Sequence, residues 1–316
     1  MTPDEIARTH PLFNPIALHL DTLVMKNTLS DVTRWLWNGS TGALLTGESR
    51  AGKTRLIRAI SQALETRDKR HIPAHYFSTP RRDVKNITGL FRELCFSAGL
   101  LVQSREQASH LANRFLHYML DSAIEHQCNT YVLFVDEMHR LSLPQFDAFA
   151  ELHDNLQEYG IQLVVIFIGN DPEYIKLINS MKNNNMEHIL GRFFFESAIL
   201  KGITSRKEVA YCLKQYDELR YPEDGESYTG YMLPEDVAKG WKLESISADL
   251  WECFYDFKHE HGLTSWKMKY FTKTVNTLLV DYLPRFGVEN IDYEMIKKCI
   301  ELSGLKASLV EQVKCA

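Results

Sequence analysis

The chain has 316 residues, 45% of them hydrophobic, 24% charged and 11% aromatic, a globular balance with length for one large domain and a smaller one. Its net charge of −5 argues against a surface coated in basic charge for nonspecific nucleic-acid binding, and leaves room for a local basic patch. No apolar run approaches the ~20 residues that span a bilayer, and the polar, acidic start predicts no secretion signal.

Residues 1–36 read as an N-terminal extension. Ile16, Leu18, Leu20, Leu23, Val24, Trp35 and Trp37 are apolar enough to pack on a neighbour, either beside an adenine base or as plain core. From residue 37 to 203 strands and helices alternate. Gly42–Thr46, Ala74–Ser78, Tyr131–Val135, Leu163–Ile168 and Phe193–Leu200 read as strands. Several are apolar throughout, as a parallel sheet covered on both faces requires. Helices are expected over Arg55–Leu64 and Lys85–Phe96, from a capping box at Ser104-x-x-Gln107, from Pro144, and after Asp171-Pro172. The expected core is α/β with a parallel, doubly wound sheet. Beyond Gly202 only helices follow: Ser205–Arg220, Ser247–His261, Ser265–Leu283 and Tyr293–Leu302. Residues 204–316 thus read as a helical domain, interrupted by an acidic loop over 221–240.

The six cysteines (Cys95, Cys128, Cys212, Cys253, Cys299 and Cys315) form no CxxC pair and read as buried thiols of a reducing compartment. His259 and His261, two apart on a helix, face away from each other and make a poor metal pair.

The first stretch with chemistry is Gly47-Glu48-Ser49-Arg50-Ala51-Gly52-Lys53-Thr54, set between a short strand and a helix. Glycines at both ends let the backbone curl, so that successive N–H groups converge on a phosphate at a helix N-terminus. Lys53 then reaches the β- and γ-phosphates of ATP or GTP, and the Thr54 hydroxyl holds Mg²⁺. The second is Tyr131-Val132-Leu133-Phe134-Val135-Asp136-Glu137, an apolar strand ending in two carboxylates where ligands bind in open α/β sheets. Asp136 suits a Mg²⁺ site, and Glu137 suits a general base that activates water. The third, Val164 to Asn170, ends a buried strand in an amide. Asn170 either contacts the γ-phosphate or attacking water, or serves the turn before Asp171-Pro172.

Together these elements resemble the Walker A, Walker B and sensor 1 motifs of AAA+ ATPases, with a helical lid to follow. Gly47–Thr54, Asp136-Glu137-Met138-His139-Arg140-Leu141 and Gly191-Arg192-Phe193 are similar to the TnsC/TniB regulators of bacterial transposition, including those of CRISPR-associated transposons. The resemblance implies a cytoplasmic, homo-oligomeric ATPase, a ring or helical filament on double-stranded DNA. It implies partners in a transposase and a target-selecting protein or complex, with hydrolysis of ATP resetting the assembly. It also implies that a neighbour's arginine completes each ATP site. Arg192 occupies the matching place, with Arg206 as an alternative and a surface ion pair as the plainer role. Lys267 stands near the expected sensor 2 position, with Lys269 as a competitor. A DNA-facing loop falls on Arg81, Arg82 and Lys85, joined by Arg105, although a solvated basic loop has the same composition. The acidic run from Glu218 to Asp236 either repels DNA, docks a partner or is a solvated face. Two other readings share these motifs. A replication initiator or helicase loader would carry a DNA-reading domain after the lid, for which no room is expected beyond Leu302. A signalling ATPase would touch no DNA.

Overall fold

The computed structural model describes residues 3–14, 17–48, 52–81 and 86–307. In chain order the elements are α1 (Pro3–Thr9), α2 (Leu23–Trp37), β1 (Gly42–Gly47), α3 (Lys53–Ala63), β2 (Ala74–Ser78), α4 (Ile87–Ser97), α5 (Ala108–Glu125) and β3 (Thr130–Asp136). These are followed by α6 (Leu143–Glu158), β4 (Gln162–Asn170), α7 (Glu173–Asn183), α8 (Glu187–Phe193) and β5 (Glu196–Leu200). The remainder is helical: α9 (Arg206–Glu218), α10 (Tyr228–Met232), α11 (Pro234–Ala238), α12 (Ser247–His261), α13 (Met268–Asn276), α14 (Leu283–Phe286) and α15 (Tyr293–Leu302). Two compact units are built from these, one on residues 27–48 and 53–200, the other on residues 3–26 and 201–307. The expected extension therefore divides: Val32, Trp35 and Leu36 are buried on α2, while Leu12, Leu18 and Leu20 join the core of the helical unit.

In the first unit five strands form one sheet in the order β2-β3-β4-β1-β5, every pairing parallel. β3 and β4 are buried along nearly their whole length, which explains their unbroken apolar sequences. α6 packs Phe146, Phe149, Leu152 and Leu156 into the core as its spacing predicts, with Pro144 in its first turn.

Several local expectations are corrected. Phe193 belongs to α8, and β5 begins only at Glu196. Phe193 is fully buried beside Phe167, and its backbone presses on Gly42, where an added Cβ would lie 2.8 Å from the Phe193 Cα. Ser104 and Gln107 make no capping box. The Glu106 carboxylate instead accepts the Gln103 N–H at 2.8 Å and pairs with Arg114, so the helix starts at Ala108. α4 starts at Ile87, where the Asn86 side chain accepts the Gly89 N–H at 2.6 Å.

The helical unit has its own core, centred on Trp266, Phe254, Phe271, Tyr216 and Leu250. The stretch over 221–240 is not a loop: it contains α10, capped by Ser227, and α11, opened by Pro234, with Tyr228 and Leu233 buried. Ser265–Leu283 is not one regular helix either. α13 begins at Met268, and Thr277–Tyr282 widens into a π turn before α14.

Candidate active site

The loop after β1 is shaped by its first glycine: a Cβ on Gly47 would lie 2.1 Å from the Leu200 carbonyl oxygen of the adjacent strand. Gly52 has φ +98°, a left-handed conformation that favours glycine. Ser49, Arg50 and Ala51 lie outside the described residues. Lys53 opens α3, whose Leu56, Ile57 and Ile60 anchor it to the core. Its ammonium is buried and donates to the Gly47 and Glu48 carbonyls at 2.8 and 2.7 Å, directly within the loop. Burial pushes the Lys53 pKa down, and the carboxylates of Asp136, Glu137, Asp171 and Glu48 oppose that shift.

Asp136 ends β3 with its carboxylate held by three donors. One oxygen accepts the Glu137 N–H at 2.8 Å; the other accepts the Tyr76 hydroxyl at 2.7 Å and the Thr54 hydroxyl at 3.3 Å. Glu137 sits at φ +57°, ψ +40°, a rare conformation for a side chain with a Cβ. Its Oε2 is 3.1 Å from the Asn170 amide nitrogen, 3.0 Å from the Arg140 guanidinium and 3.5 Å from the His139 ring. The second Arg140 nitrogen donates to the Thr79 carbonyl at 2.9 Å, just beyond β2. Pairing of β1 with β4 sets Gly47 opposite Asn170. Lys53, Thr54, Asp136, Glu137 and Asn170 thus converge at the carboxyl ends of three neighbouring strands. Tyr76 joins them without any motif to mark it, aligned with Asp136 only by the pairing of β2 with β3, and Arg140 joins them from the Asp136–Leu141 motif, one turn beyond Glu137.

Residues 38–177 match the family model described as an AAA domain. This stretch is an AAA-type P-loop ATPase domain. By sequence, the chain matches no curated protein. Among solved structures it is similar to Drosophila ORC bound to DNA, with 12% identity, 86% of this chain and 62% of that one covered, and a TM-score of 0.50. Cdc6p from Pyrobaculum aerophilum covers 96% of this chain and 88% of its own at 13% identity, with a TM-score of 0.45. A Walker-type ATPase of Pyrococcus abyssi gives 15% identity, 92% and 75% coverage and a TM-score of 0.49. At such identities the likeness is one of fold.

Within the AAA domain the hard oxygen donors of Thr54 and Asp136 suit Mg²⁺, an ion that keeps several of its own waters and needs few protein ligands. Among the described residues no cluster of three or more His, Cys, Asp or Glu side chains offers an all-protein metal site. Arg192 is not brought to the Lys53 cluster. It lies on α8 at the other end of β1, where its guanidinium pairs with Asp154 at 2.7 Å and its carbonyl accepts the Thr41 hydroxyl. Arg81, beyond β2, is exposed, as is Arg105 in the turn before α5; Arg82 and Lys85 fall outside the described residues. In the helical unit Lys267 is buried at the N-cap of α13, Lys269 is exposed, and Arg206 stands exposed in the first turn of α9. Among the described residues no helix is long and apolar enough to cross a membrane.

Proposed function

We propose that this AAA domain hydrolyses ATP, and that the bound triphosphate governs the assembly of copies of the chain on double-stranded DNA. The observation that carries the reading is the convergence of Lys53, Thr54, Asp136, Glu137 and Asn170 at one edge of the sheet. The backbone of the glycine loop and the N-terminus of α3 take the phosphates, with the Lys53 ammonium inside the loop to meet their charge. Thr54 and Asp136 would hold Mg²⁺, which neutralises charge on the phosphate oxygens when bound. Glu137 takes the proton of the water that attacks the γ-phosphorus as ADP leaves, and Asn170 orients that carboxylate or the water.

Arg192 acts on the ATP of a neighbouring copy, where a guanidinium meets charge spreading over the γ-phosphoryl oxygens. Its distance from its own Lys53 cluster supports that assignment. Lys267 or Lys269 of the helical unit would face the nucleotide as the lid residue. Arg81, Arg82, Lys85 and Arg105 would track duplex phosphates without reading sequence. The motif resemblance to TnsC/TniB regulators supports a bacterial role in transposition, linking a target-selecting complex to the transposase, with hydrolysis resetting the assembly. A replication initiator or helicase loader is the second reading, favoured by the fold shared with the DNA-bound ORC chain.

Glu137→Gln tests the core of this proposal. It should slow turnover by about 10²–10⁴-fold, the usual contribution of a general base. Nucleotide binding should persist, trapping an ATP-loaded assembly that electron microscopy shows as rings or filaments threaded by duplex DNA. Wild-type turnover would overturn the assignment of the base. A protein that stays a lone subunit with ATP and duplex would overturn the assembly.

A further inference from the structure

A groove of about 770 Å³ lies within the helical unit, open to solvent and remote in sequence from the phosphate loop. Arg206 and Lys207 line it from the first turn of α9; Trp241 and Lys242 line it from the turn after α11; Glu244 and Ser245 complete it ahead of α12. The wall that carries the tryptophan is built firmly. Gly240, at φ +92°, turns the chain, and the Trp241 N–H donates to the Asp236 carbonyl at 3.0 Å. The Asp217 carboxylate of α9 accepts the Leu243 and Glu244 N–H groups at 2.9 and 3.0 Å, tying the two walls together. Trp241 lines the groove while remaining half-buried and packed against the helical core.

The charges on this groove stand out in a chain of net charge −5. Arg206, Lys207 and Lys242 are exposed, and none makes an ion pair among the described residues. Glu208, the nearest acid on α9, is committed to the capping box with Ser205 and to the Thr204 hydroxyl. Among the described residues one carboxylate, Glu244, belongs to the lining; Glu223, Asp224, Glu226 and Glu235 of the neighbouring acidic stretch do not. Unpaired cations along an open groove suit a ligand with repeated negative charge, and a fixed indole among them suits a flat unpaired ring. A nucleic-acid strand has both, and a duplex keeps its base faces stacked inside.

We propose that this groove binds single-stranded nucleic acid, with phosphates on Arg206, Lys207 and Lys242 and an unpaired base stacked on Trp241. The groove shares no lining residue with the Lys53 cluster, and its binding does not depend on ATP. Recognition is sequence-tolerant, because cations read phosphates and an indole stacks on any base.

The test is binding of a fluorescein-labelled oligo(dT) of about 15 nucleotides, within the range of single-strand site sizes, to the full chain and its variants. Three phosphate contacts predict a log–log salt slope of about −2. The triple charge reversal Arg206→Glu, Lys207→Glu, Lys242→Glu should weaken binding about 30-fold or more and flatten that slope. Trp241→Ala should cost about tenfold, and Trp241→Phe should retain most of the affinity. Thermal unfolding midpoints establish that each variant is folded. Lys53→Ala, which disables the nucleotide site, should bind the strand as the wild type does, so failure of the ATPase reading leaves this result standing. The proposal is overturned if the triple variant binds the strand like the wild type. It is likewise overturned if a blunt duplex binds as tightly with Trp241→Ala silent, or if a polyglutamate peptide competes as well as the strand.

Discussion

Three donors hold the Asp136 carboxylate, and the Tyr76 hydroxyl, at 2.7 Å, is the one supplied from a neighbouring strand. Burial and the Asp136 charge push the Tyr76 pKa up to about 12, so the phenol remains a donor across the working range. Removing a hydrogen bond to a charged group costs about 1.5–3 kcal/mol. Tyr76→Phe should therefore raise the Mg²⁺ concentration for half-maximal ATP binding by about tenfold, while ATP affinity measured in EDTA stays the same. An equal loss in both conditions would make Tyr76 a packing residue only. His75, one residue earlier, faces the other side of β2, against Phe115 and Tyr118 and with its ring 2.7 Å from the Ser97 hydroxyl. Burial lowers its pKa from 6.5 to about 4. The unfolded chain protonates this ring near its ordinary value, so stability is full above that value and falls as pH drops through the window toward the folded pKa. The loss amounts to about 3 kcal/mol. Urea unfolding at about pH 7.5 and about pH 4.5 should show His75→Gln losing correspondingly less stability between the two. Lys53, Thr54, Asp136 and Glu137 stood out in the sequence because their chemistry lies in short local spacings. Tyr76 did not, since only the pairing of β2 with β3 aligns it with Asp136, and alternation along a strand says nothing of its neighbour.

The pairing of β1 with β5 depends on a glycine. At Gly47 a methyl group would meet the Leu200 carbonyl at 2.1 Å, backbone against side chain with no flexible atom to yield. Gly47→Ala should spread these strands and lower stability by about 3 kcal/mol or more, as overpacking at a backbone contact does. A denaturant midpoint equal to the wild type would mean that the strands shift apart freely. The buried strands were legible because two covered faces demand continuous apolar runs, as at Leu163–Ile168. Phe193-Phe194-Phe195 was misread for the same reason: its aromatics suit a strand, yet Phe193 closes the core from a helix while Phe195 is left exposed. The acidic stretch over 221–240 misled in the opposite direction. Its charges speak of solvent, while its fold turns on Ser227, Tyr228, Leu233 and Pro234.

At the scale of the whole molecule, the proposed action of Arg192 on a neighbouring copy can be tested directly. Its exposed pair with Asp154 is worth at most about 1 kcal/mol, so a competing phosphate can claim the guanidinium at little cost. Arg192→Ala and Asp136→Asn should each abolish hydrolysis alone. An equal mixture should recover activity at about a quarter of the interfaces if copies associate at random around a closed ring. No recovery would confine the defect to one subunit. No local pattern set Arg192 apart from any surface arginine; only the family resemblance singled it out. The sheet order carries a consequence for synthesis. β1 leaves the ribosome before either of its partners, and Gly42 must wait for Val165, as Ala43 must wait for Glu196. The loop that grips the triphosphate hangs from that unpaired ribbon, so a nascent chain cannot close its grip until the far side of the sheet has been translated.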